Sequence, residues 1–238
     1  MNFVAFVLGA LLLVPALLIA IPVHEMGHAA AAYFLGDRSV RYFGYFSPDP
    51  RRFLDPLGVL AVFIALVGWG KRVPVQPNRI RTTQQQILFE LGGPAANLAV
   101  AIVFGILLRI VARAGLIPVI ELGPNLLAAA IYVIVFLNLS IMAFQLLPVP
   151  GLDGWNIIEA IFRNRNPRFF FEVNMRRREI WAGVVIVILL FQLFQGYNLL
   201  NVVMTPFYNP ASLISMGVCG GYGIPNLVGL HPCLLSGG

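Results

Sequence analysis

Apolar residues run almost unbroken over 3–23, 85–111, 125–148 and 180–204, and polar and charged positions are concentrated between these runs. Crossing a bilayer as an α-helix takes about 20 residues. The pattern predicts four full spans, at 3–35, 85–111, 125–148 and 180–204. Pro15 and Pro22 predict a kink in the first, and Pro22 stands where a new helical stretch can begin. A fifth apolar segment, DPLGVLAVFIALVGWG (55–70), has only about 14 uninterrupted residues, short for a span and suited to a re-entrant piece. The following GKRVPVQPNRIR (70–81) is rich in Pro and Arg and is predicted extended. The fold class is therefore an all-α polytopic membrane protein with about four transmembrane helices, a re-entrant or short fifth segment and a small extended element. A single domain is expected over 1–204, with 55–81 as its re-entrant and extended part. A Gly/Pro-rich, unpacked tail is expected over 205–238.

Composition agrees. The chain is 59% hydrophobic and 11% charged, against about 25% charged in soluble domains. The first run has no basic residues ahead of it and exceeds the usual ~7–15 apolar residues of a secretory signal, so it is expected to be a retained helix. The net charge of +6 is attributed to membrane-interface anchors rather than nucleic-acid binding. Both cysteines, Cys219 and Cys233, lie in the tail, so no disulfide framework organises the body.

The sixteen Lys and Arg residues constrain topology. If 55–70 spans the membrane, they divide ten against six. If it dips in and returns, 36–84 and 162–179 share a side with fourteen, and only Arg109 and Arg113 lie opposite. The second partition fits the positive-inside rule better. It places HEMGH (24–28) toward the cytoplasmic end of the first helix.

That motif is the main chemical feature. A charge at the centre of a bilayer costs roughly 2.5–3.5 kcal/mol on insertion scales, so His24, Glu25 and His28 on an apolar helix require an offset. Four residues apart, the two histidines share one helix face and can reach one metal ion. Glu25 beside them can act as general base, as in H-E-x-x-H zinc hydrolases. A catalytic zinc site usually has three protein ligands. His231, the remaining histidine, is in the tail on the opposite side. Asp37, Asp49 and Asp55 are expected to be solvated, Glu121 is at the far face, and Glu159, Glu172 and Glu179 have nearby arginines. Glu90 and Asp153 remain. With 55–70 re-entrant, Asp153 reaches the same membrane side as the histidines; with 55–70 spanning, it emerges roughly 30 Å away.

HEMGH (24–28), GGPAANL (92–98) and LLPVPGLDG (146–154) together resemble the site-2 protease family of intramembrane zinc metalloproteases, in a small form without PDZ or CBS domains. GWGKRVPVQP (68–77) also resembles a segment of its small members. The resemblance implies one Zn2+ held by His24, His28 and Asp153, with Glu25 as catalytic base. It implies cleavage of a peptide bond within a substrate's transmembrane segment near the cytoplasmic side. The family has Asn eight residues before the ligand Asp, where it helps bind the substrate or its oxyanion. Gln145 occupies that place here and keeps an amide donor. The second glycine of the usual L-D-G-G is Trp155, expected to narrow the cavity. Asn97 matches the family's G-P-x-x-N, with a role in helix packing or in hydrogen bonding near the site.

The expected partners are a transmembrane protein substrate and the lipid bilayer. The expected location is the plasma (inner) membrane of a bacterium or archaeon, with the active site toward the cytoplasm. Two other readings stand beside this one: a membrane zinc or ion transporter, and an inactive family member that binds transmembrane partners.

Overall fold

The computed structural model of the chain describes residues 3–47, 49–76, 78–113, 126–194 and 199–217. Its helices are α1 (Phe3–Phe34), α2 (Ser39–Tyr42), α3 (Pro56–Ala65), α4 (Thr83–Arg113), α5 (Leu126–Gln145), α6 (Asp153–Phe162), α7 (Pro167–Met175), α8 (Arg177–Phe194) and α9 (Leu199–Met216). Among the described residues, three stretches are long and apolar enough to cross a membrane: Gly9–Phe34, Thr83–Val111 and Leu126–Gln145. The fold is that of an all-α membrane protein.

Helix α5 is the axis, with almost every side chain from Ala128 to Gln145 buried or nearly so. Helix α1 packs on one side through Ala16, Ala20 and Ile21 against Leu137 and Ile141. Helix α9 packs on another, with Met204, Tyr208 and Ala211 in one cluster with Val135, Leu139 and Met142. Lipid tails are as apolar as leucine, so burial from water cannot hold these helices together. Close packing of small residues can. Helices α1 and α4 cross at glycines. A Cβ on Gly27 would strike the Gly92 carbonyl and stand 2.7 Å from Ala96 Cβ, and one on Gly92 would stand 2.7 Å from the Gly27 carbonyl oxygen.

Segment 55–70 turns back on itself. Asp55 caps α3, accepting the N–H groups of Leu57 and Gly58 at 2.9 and 3.1 Å, and Pro56 supplies the first helical position. The ten-residue helix is half the length of a span. It ends at Leu66 in the left-handed region (φ 57). The chain then comes back over α3, its Trp69 backbone lying where a Gly58 side chain would be. Leu54 and Gly70 pair as an antiparallel bridge, and Lys71 N–H donates to the Phe53 carbonyl at 2.7 Å. The two ends of the segment are therefore side by side.

Two expectations change. No new helix starts at Pro22, because α1 continues through Pro15 and Pro22 as one element. Of the span expected over 180–204, the described residues form α8 to Phe194 and α9 from Leu199, and 195–198 lie outside the described residues. The unpacked tail does not begin at 205, because α9 reaches Met216 with Tyr208, Ala211, Ser212 and Ser215 buried. Its Pro206 and Pro210 read as tail in the sequence but lie within the helix.

Candidate active site

His24 and His28 lie one turn apart on α1, both buried. Asp153 opens α6. Its position depends on the turn that ends α5, where Gly151 takes φ +120, a left-handed conformation open to glycine. Gly154 is equally constrained. A side chain there would strike the Leu146 carbonyl and approach the Leu147 carbonyl at 2.6 Å. The L-D-G sequence thus starts a helix directly against the carbonyls that close the preceding one.

The result is a compact triangle. His24 Nε2 and His28 Nε2 each lie 3.1 Å from Asp153 Oδ2, and 3.1 Å from one another. His28 Nδ1 is 2.8 Å from the Phe89 carbonyl on α4. A carbonyl only accepts, so Nδ1 carries the proton and the neutral ring presents its Nε2 lone pair inward. Three lone-pair donors converging at this spacing suit a cation. A tetrahedral zinc with ligands at about 2.0–2.1 Å sets its ligand atoms roughly 3.3–3.4 Å apart, within a few tenths of an ångström of the distances found. Two imidazoles and a carboxylate are also common zinc ligands, and three of them leave a coordination position for water. The residues fit the metal.

Helix α4 forms the floor of the triangle. A Cβ on Gly93 would strike His28 Nε2 and stand 2.6 Å from His24 Nε2. Glu25 is buried, and its Oε2 has no hydrogen-bond partner among the described residues. The returning segment passes close to it: a Cβ on Gly70 would stand 2.6 Å from Glu25 Oε1. A cavity of about 300 Å³ lies over the group, lined by the triad, Glu25, Gln145 and Trp69 among others. Glu25 therefore has a carboxylate oxygen free to take a proton within reach of the same space.

Glu90, the other candidate for third ligand, is engaged elsewhere. It pairs with Arg72 and accepts from Asn156 Nδ2 at 3.2 Å. This ties the returning segment and α6 to α4. Trp155 does not narrow the cavity. Two positions beyond Asp153, it points to α7 and packs against Phe170 at 5.5 Å and Phe169 at 6.3 Å. Gln145, at the end of α5, is buried and lines the cavity. Asn97 donates to the Asn138 carbonyl at 3.4 Å. Asp37 is buried rather than solvated, accepting from the Ser39 hydroxyl at 2.6 Å and the Gln76 N–H at 2.7 Å. His231, Cys219, Cys233 and Glu121 lie outside the described residues.

Sequence reading missed the Phe89 carbonyl, because any backbone carbonyl looks alike in a sequence. It missed the proximity of Gly93 to both rings, which depends on how α1 and α4 cross. It also missed Trp69 and Trp181, 112 positions apart in the chain, which meet edge to face at 4.9 Å in the cavity wall.

Three similarities to known proteins bear on this site. The chain is 31% identical over 150 residues to "Putative zinc metalloprotease YwhC" of Bacillus subtilis, covering 63% of this chain and 68% of that protein. It is 35% identical over 158 residues to "Putative zinc metalloprotease Rip2" of Mycobacterium tuberculosis, covering 63% of this chain and 57% of the relative. It is 30% identical over 186 residues to the Rip2 of Mycolicibacterium smegmatis, covering 76% of this chain and 66% of the relative. No protein-family model and no solved structure matches the chain.

Proposed function

Because the chain belongs to the site-2 protease family of zinc metalloproteases, we propose that it hydrolyses a peptide bond within the transmembrane segment of a membrane-protein substrate, near the cytoplasmic side of the plasma membrane. The observation that carries this reading is the triangle of His24, His28 and Asp153 side chains with the unpartnered Glu25 carboxylate oxygen beside it. His24, His28 and Asp153 would hold a single zinc ion, which when bound would supply Lewis acidity to water and to the scissile carbonyl.

The protein's own groups do the rest. Glu25 Oε2 takes the proton from the attacking water and passes it to the leaving amine nitrogen. The Gln145 amide, at the cavity wall, donates to the developing oxyanion. The Phe89 carbonyl holds the His28 ring through Nδ1–H. A substrate helix hides its carbonyls in its own hydrogen bonds, so the bond to be cut must lie in a locally unwound stretch. Positive charge concentrated in 36–84 and 162–179 supports a cytoplasmic position for this end of the bundle.

The test is Glu25→Gln in purified protein reconstituted with a single-span reporter. The variant should keep one zinc per chain and lose cleavage. Asp153→Ala should lose the zinc itself. Wild-type cleavage by Glu25→Gln overturns the role of Glu25, and undiminished zinc in Asp153→Ala overturns the ligand set.

A further inference from the structure

The mouth of the zinc cavity is basic. Arg72, Arg177 and Arg178 line it, and the carboxylates that line it with them are Glu25 and Asp153, both engaged in the proposed chemistry. Arg72 pairs with Glu90. Glu159, which also attracts Arg177, is occupied: it accepts from Arg163 at 2.7 Å and Asn174 at 2.9 Å. Among the described residues, neither Arg177 nor Arg178 has an ion pair.

Arg177 does not resemble a lipid anchor. Arg168, on α7, has a side chain 90% exposed and paired along its own helix with Glu172. Arg177 is half-buried and held on the cavity side. Its Nε lies 3.9 Å from where a Gly151 side chain would begin, in the turn that delivers Asp153. One turn on, Trp181 meets Trp69 as an aromatic wall. Burial and then the Arg72 charge lower the Arg177 pKa, while Glu90, Glu159 and Asp153 attract it from further off. A half-desolvated guanidinium with five donors and no carboxylate of its own is a ready partner for an incoming one. The low dielectric of such a cavity strengthens the pairing relative to water.

We propose that Arg177, with Arg178 beside it, is a carboxylate-binding subsite that selects peptides carrying Asp or Glu within a few residues of the scissile bond. The proposal rests on the protease reading of the same cavity and adds a substrate class to it. Arg72 is already paired with Glu90, so selection falls to the α8 arginines.

The probes are short peptide hydroxamates with Glu, Gln or Lys near the chelating group, measured for binding to the zinc-loaded protein in zwitterionic nanodiscs. The hydroxamate anchors at the metal, so the side chain alone reports on the subsite. The Glu probe is expected to bind roughly tenfold or more tighter than the Lys probe, the scale of a charge-assisted hydrogen bond. In Arg177→Glu the order should reverse. An acid at the first position of α8 suits the helix dipole, so the variant should fold. Arg168→Glu should leave the order unchanged, which separates a local contact from bulk charge. Equal binding of the three probes overturns the subsite, and so does a preference that survives Arg177→Glu. If anionic lipid lowers binding of the Glu and Gln probes alike, the arginines hold lipid phosphate and the proposal fails. Failure of every hydroxamate to bind, with no zinc retained, refutes the protease reading itself.

Discussion

Substituting Gly93→Ala tests whether the crossing of α1 and α4 sets the metal geometry. The added methyl would stand 2.7 Å from His24 Cε1 and 2.6 Å from His24 Nε2, and closer still to His28 Nε2. Carbon atoms prefer about 3.5–4.0 Å, so the overlap with Cε1 is roughly 0.8 Å or more. Two adjustments can relieve it. Helix α4 can withdraw from α1, which gives up the close Gly27–Gly92 packing a single residue away. Alternatively the imidazoles can swing, which moves both Nε2 atoms out of the 3.1 Å triangle and strains the His28–Phe89 bond. Overpacking of this kind costs about 1–3 kcal/mol, which leaves the apo-protein folded. Loss of a supporting contact to a metal ligand costs about 10–100-fold in affinity, and displacing two ligands should cost at least the upper end. The assay is zinc affinity by competition with a chromophoric chelator, beside thermal unfolding in chelator. Gly183→Ala is the control: nothing lies within 4 Å of its added methyl. It should leave zinc affinity unchanged and stabilise α8 by about 0.5–1 kcal/mol. Wild-type zinc affinity in Gly93→Ala would refute the reasoning, because the rings would then be placed by something other than α4.

Two further outcomes follow from buried polar groups. His24 Nδ1 and Asn97 Oδ1 are both buried without a well-formed hydrogen bond, although the Asn97 amide stands within reach of that ring. If Asn97 orients His24, Asn97→Leu should weaken zinc binding about 10–100-fold while Asn97→Asp, which keeps an acceptor, holds it; equal affinity in the Leu variant would reduce Asn97 to packing. Burial pushes the Asp37 carboxyl up, but the Gln76 N–H and both Ser39 donors outweigh it and hold the group below its usual range. Its stabilisation is thus complete above about pH 4, the unfolded value, and is lost as pH falls through the lower folded value. Asp37→Asn should melt lower at neutral pH and lose less on acidification; parallel melting-temperature curves for the two proteins would contradict this.

Much of the architecture could be read from local pattern. Long apolar runs place α1, α4 and α5 because a bilayer admits backbone only as closed hydrogen-bonded elements of a set length. The spacing of His24 and His28 carries its own geometry, since residues four apart on a helix share a face. The short run at 55–70, with Pro56 after Asp55, predicts a short helix for the same reason of length.

The rest depended on which helices touch. The sequence offered Asp153 and Glu90 alike beside the histidines; the turn at Gly151 and the seat of Gly154 against the Leu146 and Leu147 carbonyls bring Asp153 to them, while Arg72 and Asn156 engage Glu90. The fate of Tyr208 and Ala211, which read as tail, was decided by an open face of α5 that α9 fills. Such contacts join residues tens to more than a hundred positions apart, and helix period carries no information over that distance.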